Sequence, residues 1–291
     1  MAVPISPKPL HIAIVGGGIG GVAFAIGLTK HSHLTFTIYE SRSAFGEIGA
    51  GIAFAANGHR TMNLISPAVW EGYKKRASFN GWPEKQDVWF DFSVGEKGEN
   101  EGKRIIEAKM PDGVTQSTVL RTHLLEELVA LVPEGCAEFN KKLVDVEQSG
   151  EKIVCKFADG SEAEADVVVG CDGIRSSCRP LVYGKGSELS KPRFTKKIAY
   201  RGLVPMPKAV EALGAEKANN RQMYMGHGGH VLTFGVGNGA LMNVVGFHTS
   251  QGDTWEGDWV QPLQKESMQR DFSPAQWGQK VSKIMEVSCS P

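Results

Sequence analysis

The sequence lacks any excess of charge: 32 Lys and Arg stand against 32 Asp and Glu, a formal net charge of +0 over 291 residues. That balance excludes a global field drawing the chain to nucleic acid or an anionic membrane, so the expected partner is small. Cysteine is scarce. Cys136, Cys155, Cys171, Cys178 and Cys289 make an odd count of 5, with no C-x-x-C pair, which excludes a disulfide scaffold and points to a reduced, cytoplasmic setting. No hydrophobic run approaches the ~20 residues of a membrane span. Pro4, Pro7, Lys8 and Pro9 interrupt the start, where a signal peptide would be apolar, so the chain is read as soluble and unprocessed. His227 and His230 flank two glycines with no thiol or carboxylate nearby; they are read as loop or substrate-side histidines, and no metal site is expected.

What is present is apolar residues, 41% against 22% charged, enough for a packed core rather than disorder. Glycine is in excess: 35 of 291 residues, against roughly 7% in average proteins. That abundance weakens glycine motifs, since chance alone supplies about 0.5 matches to G-x-G-x-x-G in such a chain.

Context decides. Leu10 to Val15 reads as a buried strand, Gly16 to Gly21 as a tight turn, Ile19 to Thr29 as a helix packed on a sheet, and Thr35 to Glu40 as a second strand. Strand, turn, helix, strand within about 30 residues is the unit of a parallel pair with a right-handed crossover. Further on, Ser66-Pro67 is a helix start, Asp87 to Phe92 alternates like a strand, and Glu96 to Lys103 reads as a loop. His123 to Val132 reads as an amphipathic helix capped by Thr122. Lys142 to Glu147, Ile153 to Phe157 and Ala165 to Val169 read as strands joined by Ser149-Gly150 and Asp159-Gly160 turns. Lys185 to Lys197, with five basic residues and one acid, reads as a solvated crossover. Beyond it, Ala199 to Val204, Met223 to Met225, His230 to Val236 and Leu241 to Phe247 suggest antiparallel sheet. Ser273-Pro274 is expected to open a last helix running to about Val287.

Gly16, Gly18 and Gly21 lie between a strand and a helix. The first permits the turn, the second lets a pyrophosphate approach the backbone, and the third lets helix and strand pack closely. Glu40 ends the second strand, 24 residues after Gly16, where an acid accepts ribose hydroxyls; it favours FAD or NAD over NADP, although Arg42 leaves this open. Of three Asp-Gly pairs, Asp112-Gly113 and Asp159-Gly160 suit hairpin turns. Asp172-Gly173 follows the buried run Val167 to Gly170 and leads into a stretch without strand alternation, which suits a second contact with a long cofactor.

At this point the sequence resembles the flavin-dependent aromatic hydroxylases of the salicylate hydroxylase type, including fungal enzymes that hydroxylate phenolic polyketides. The resemblance is carried by IVGGGIGG at 14–21, Tyr39-Glu40, FGEIGAGIAF at 45–54, Arg121, VVVGCDGIRSSCR at 167–179 and AYRGLVP at 199–205. It implies that Gly16, Gly18, Gly21 and Glu40 hold the ADP half of FAD. It also implies that Gly49, Gly51 and Ala53 bring backbone close to the flavin, that Arg121 contacts the cofactor's phosphate or ribityl part, and that Asp172 and Gly173 serve FAD and NAD(P)H. Arg201 matches a substrate-anchoring arginine. The implied reaction is hydroxylation of an electron-rich aromatic substrate with NAD(P)H and O2 through a flavin hydroperoxide.

The fold class implied is α/β: a Rossmann-like FAD/NAD(P)-binding domain at 8–78 and 115–184, a substrate-binding sheet domain at 79–114 and 185–272, and a terminal helix and tail at 273–291. Three departures stand out. Ala56-Asn57 replaces a usual Pro-Asn pair. Phe234 stands where relatives often carry tyrosine, removing a phenolic hydrogen bond. The family's later Gly-Asp segment has no counterpart, so a strand and a long helix of the FAD domain are expected to be missing, leaving a sheet edge exposed. Two readings compete with an active monooxygenase: a protein of the same fold without turnover, and an NAD-dependent dehydrogenase, for which no Tyr-x-x-x-Lys pattern appears.

Overall fold

A computed structural model describes residues 8–46, 49–111, 114–262 and 264–288. Four apolar residues in a row at the end of the first strand are buried on both faces, as a strand between parallel neighbours requires. This strand, β1 (Leu10–Val15), leads through the glycine turn into α1 (Ile19–Leu28) and β2 (Leu34–Tyr39), which pairs parallel with it from Leu10↔Leu34 to Val15↔Tyr39. There follow β3 (Gly51–Phe54), α2 (Ala56–Ile65) and α3 (Pro67–Arg76). Ser66 caps α3 as expected, its hydroxyl accepting the Ala68 N–H at 3.2 Å. The chain continues as β4 (Val88–Val94), β5 (Arg104–Lys109), β6 (Ser117–Leu120), α4 (Arg121–Val129), β7 (Ala137–Glu138), β8 (Leu143–Ser149) and β9 (Lys152–Phe157). After β10 (Glu162–Ala165), β11 (Val167–Gly170) and α5 (Cys178–Tyr183) come β12 (Lys197–Pro205), α6 (Met206–Leu213) and α7 (Ala215–Asn219). Three strands, β13 (Gln222–Gly226), β14 (Gly229–Val236) and β15 (Leu241–Thr249), precede α8 (Lys265–Asp271) and α9 (Gln279–Ser288).

Three expectations are corrected. The run Ala165 to Val169 is not one strand: β10 pairs antiparallel with β9, whereas β11 pairs parallel with β1. Asp166 makes the break, because its Oδ2 accepts the His11 N–H at 2.7 Å while Oδ1 meets Lys152 Nζ. Ser273-Pro274 does not open the last helix. The buried Trp277, whose indole N–H donates to the Asp271 carbonyl at 3.0 Å, holds 273–278 in turns. The helix begins at Gln279, whose N–H is accepted by the Glu101 carboxylate at 2.7 Å. The later strands are not purely antiparallel either: β13 runs parallel to β4 over Gln222↔Asp91 to Met225↔Val94. Asp112-Gly113, the start of the chain before residue 8, and Cys289 to Pro291 lie outside the described residues.

The chain divides into two compact units. The first comprises Met1–Ile48, Thr61–Tyr73 and Thr122–Arg193. It contains a sheet in the order β11-β1-β2-β7 and the meander β10-β9-β8, with Ala13, Val15, Tyr39, Cys155, Phe157 and Ala165 in one core. The second comprises Gly49–Arg60, Lys74–Arg121 and Phe194–Pro291, built on the sheet β12-β15-β14-β13-β4-β5 with the pair β3-β6. The contact units are drawn differently from the expected domains: 185–193 falls in the first unit, 74–78 and 273–291 in the second, and 49–60 and 115–121 also cluster with the large sheet. Two bonds tie them there: Gly51 N–H to Asn243 Oδ1 at 2.8 Å and Thr118 Oγ1 to the Gly235 carbonyl at 2.5 Å.

Alternation gives the large sheet two different faces. Val204, Tyr224, Val231, Met242 and Val244 pack against Phe272, Trp277, Ile284 and Met285 of the helical layer. The opposite face carries Phe90, Phe234 and Val236, with Leu120 of β6 upon them and Leu203, Leu232 and Met223 beside them. Among the described residues no helix is long and apolar enough to cross a membrane.

Candidate functional site

In the first unit the glycine turn is fixed by close approach. Gly16 has φ +108°, and a Cβ there would lie 2.6 Å from the Cys171 carbonyl oxygen. A Cβ on Gly21 would lie 2.0 Å from the Gly16 oxygen, so only glycine lets α1 start against the end of β1. Gly18 is the N-cap of α1, in extended conformation and with no side-chain cap. The first amides of the helix therefore point outward with no capping side chain, and around Gly20 a Cβ would meet nothing within 4 Å. This is a cradle of bare backbone at a helix N-terminus, suited to a pyrophosphate.

Glu40 sits beside it. One carboxylate oxygen accepts the Gly17 N–H at 2.7 Å; the other accepts the Arg42 N–H at 2.8 Å and the Ser41 hydroxyl at 3.1 Å. A carboxylate has about four acceptor sites, so Glu40 braces the turn and keeps capacity for ribose hydroxyls. The residues present fit a dinucleotide.

Asp172 is engaged within its own turn. Its carboxylate accepts the Ser176 hydroxyl at 2.6 Å and the N–H groups of Ser177 and Cys178 at 2.6 and 3.0 Å. Burial pushes this carboxyl up, but the bonds from Ser176, Cys178 and Ser177 outweigh it and hold it below the ordinary aspartate range. The carboxylate thus shapes its own turn. What the turn presents outward is Gly173, exposed and at φ +70°, with Arg179 donating to its carbonyl at 2.7 Å.

Gly51, Ala53, Arg121 and Arg201 belong to the second unit. Gly51 pairs with Leu120 and Ala53 with Thr118, and the Arg121 N–H donates to the Ala50 carbonyl at 3.0 Å. A Cβ on Gly51 would lie 2.7 Å from Phe234 Cε2 and 2.9 Å from Asn243 Cβ. The Phe234 ring, only 5% exposed, therefore supports the Gly51 backbone in place of offering a hydroxyl. Asn243 was not singled out by sequence; its one signal is a polar side chain at an inward position of the apolar run Leu241 to Phe247. Its orientation is set by Gly51, whose N–H requires Oδ1 and leaves buried Nδ2 without an acceptor among the described residues.

Arg201 lies on the edge strand β12, opposite Val245 of β15. It is exposed and has no ion-pair or hydrogen-bond partner among the described residues. It shares the Phe234 face of the sheet, since Leu203, two residues on, pairs with Asn243 and Asn243 with Phe234. His230 is on this face too. Its ring stacks on Phe247 with centroids 4.8 Å apart. Burial, reinforced by Lys197, pushes its pKa below the ordinary histidine value. The imidazole is neutral at pH 7 and its nitrogens have no hydrogen-bond partner among the described residues. His227 is exposed in the neighbouring turn, its N–H bonded to Glu96 at 2.6 Å.

A family described as FAD-NAD(P)-binding matches residues 13–175. A 6-methylsalicylate 1-monooxygenase of Aspergillus terreus is 39% identical over 287 residues, covering 97% of this chain and 63% of that protein. A salicylate hydroxylase of Pseudomonas putida is 37% identical over 293 residues, covering 97% of this chain and 65% of that one. The solved structure of a salicylate hydroxylase substrate complex superposes with a TM-score of 0.79 at 31% identity, covering 97% of this chain and 67% of that one. The chain thus spans 63–65% of the length of these two curated relatives.

Proposed function

Because the chain belongs to the FAD-NAD(P)-binding flavin monooxygenases of the salicylate hydroxylase type, we propose that it hydroxylates a phenolic or other electron-rich aromatic substrate using FAD, NAD(P)H and O2. The observation that carries this reading is the bare-backbone cradle at Gly16–Gly21 in the first unit; the second unit separately offers an apolar sheet face with Arg201, which has no partner among the described residues. Gly16, Gly18, Gly21 and Glu40 would hold the adenosine and pyrophosphate part of FAD, with Asp172 shaping the turn that presents Gly173. Gly51, Ala53 and Arg121 would supply backbone and charge toward the flavin end. When bound, FAD supplies the redox chemistry that reduces O2 with electrons from NAD(P)H and passes one oxygen atom to the ring.

The chain's own residues do the rest. Arg201 binds a carboxylate or phenolate and lowers the pKa of a phenol held beside it, raising the electron density of the ring. The apolar face around it excludes water. His230 stands two residues along β14 from Leu232, two strands from Arg201, which places their Cα atoms about 10–12 Å apart by strand geometry. A hydroxyarene fits between them, and the neutral imidazole can accept the proton that the phenol loses.

Purified protein supplied with FAD should show the visible absorption bands of an oxidised flavin, and its oxidation of NADPH should be stimulated by a hydroxyarene. A protein that stays colourless after FAD is added and desalted would sink the proposal. The His230 assignment predicts a pH limb. Below a midpoint under the ordinary histidine value of about 6.5, the protonated ring can no longer accept a proton, so kcat/KM falls as pH falls. His230→Asn should remove this acid limb from the profile; a limb of the same midpoint in the variant would assign it elsewhere.

A further inference from the structure

The sheet row that starts at Arg201 contains no second polar side chain as far as β4. Arg201 stands opposite Val245, Val245 opposite Leu232, Leu232 opposite Met223, and Met223 opposite Phe92. Cross-strand partners share a face, so one cation on the edge strand is followed by four apolar side chains. Neighbouring strands lie about 4.8 Å apart, so the row runs roughly 19 Å from β12 to β4. A single aromatic ring beside Arg201 covers only the beginning of it.

The adjacent row, Leu203–Asn243–Phe234, is roofed by the Gly51 backbone. In the Arg201 row Val245, opposite the arginine, is buried, whereas Leu232, Met223 and Phe92 are half-buried. The result is a strip with a charged head and a long apolar body.

We propose that the substrate is an aromatic acid or phenol bearing an extended alkyl chain. Arg201 holds its anionic oxygen, the chain lies along Val245, Leu232, Met223 and Phe92, and Leu232 and Met223 set the length accepted. This rests on the reading of Arg201 given above. Charge fixes the direction, because the reverse orientation would bury a carboxylate among methionine and phenylalanine with no donor. Each methylene laid on the strip should tighten binding about fourfold, up to the length of the row.

Titration calorimetry of the full chain with 2-hydroxybenzoate and its propyl, pentyl and heptyl homologues, substituted para to the carboxylate, tests this. Affinity should climb along the series, Arg201→Gln should weaken every member by a similar factor, and Met223→Asn should lower the heptyl-to-parent affinity ratio while leaving the propyl-to-parent ratio unchanged. If wild type binds the parent acid with no dependence on chain length, the strip is not a chain site and the proposal is overturned. The same holds if Met223→Asn, folded by circular dichroism, leaves the heptyl-to-parent ratio at its wild-type value. If neither parent nor homologues bind, the Arg201 anchor itself fails, and the chain site falls with it. The wild-type series decides even if Met223→Asn does not fold.

Discussion

Arg201→Gln should lower kcat/KM for an anionic hydroxyarene by about a hundredfold while leaving FAD affinity unchanged. The guanidinium offers a charge-assisted, two-pronged bond to a carboxylate or phenolate, and losing such a bond costs about 3 kcal/mol, or roughly two powers of ten. The estimate is not diluted by a rearranged network, because Arg201 has no partner among the described residues that its loss would strand. It stands on an edge strand, exposed, so the variant should melt within a degree or two of wild type. Arg201→Lys keeps the charge but not the fork and should recover only part of the rate. Steady-state kinetics with a carboxylated and an uncharged arene would check the assignment: an equal loss for both would show that Arg201 acts otherwise than by charge recognition.

Gly21→Ala should abolish dinucleotide binding altogether. The added methyl would stand 2.0 Å from the Gly16 oxygen and 3.2 Å from Cys171 Cβ, so α1 must move away from the end of β1. Overpacking of this kind costs 1–3 kcal/mol or more, and here it also displaces the helix amides that would face a pyrophosphate. The variant should elute from gel filtration without flavin. Its melting temperature should no longer rise when FAD is added, whereas wild type should gain stability in proportion to the logarithm of FAD concentration above its dissociation constant. Retention of flavin by the variant would move the binding site away from this turn.

The parts of the site legible in the sequence are those in which chemistry and spacing lie close together. Gly16, Gly18, Gly21 and Glu40 fall within one strand-turn-helix-strand unit, and the structure places Glu40 on the Gly17 amide. Arg201 came from resemblance; that it has no partner among the described residues is seen only in the structure. What stayed hidden depends on contacts made across the chain. The Gly51–Asn243 bond joins residues 192 apart, and no local pattern announces it. The break at Asp166 was not legible because the valines Val167 to Val169 on one side and Ala165 on the other suit a strand; only the His11 and Lys152 contacts of the Asp166 carboxylate assign the two halves to different sheets. Ser273-Pro274 carried a helix signal that the burial of Trp277 overrode. At Asp172 the bonds to Ser176, Ser177 and Cys178 were not legible, since a carboxylate that caps its own turn and one that meets a ligand are written with the same letters.

The parallel pairing of β13 with β4 also sets an order of assembly. Strands β12 to β15 are contiguous in sequence apart from two short helices, and β13–β14 and β14–β15 are joined by short turns, so loop closure among them is entropically cheap. Strand β4 reaches that sheet only across the 127 residues between Val94 and Gln222, a non-local contact that forms late in folding. Within this sheet the later strands are thus the template, and β4 is the strand that docks. A nascent chain exposes the aromatic strand β4, with Trp89, Phe90 and Phe92, until Gln222–Met225 has been made. During that interval it depends on protection from aggregation.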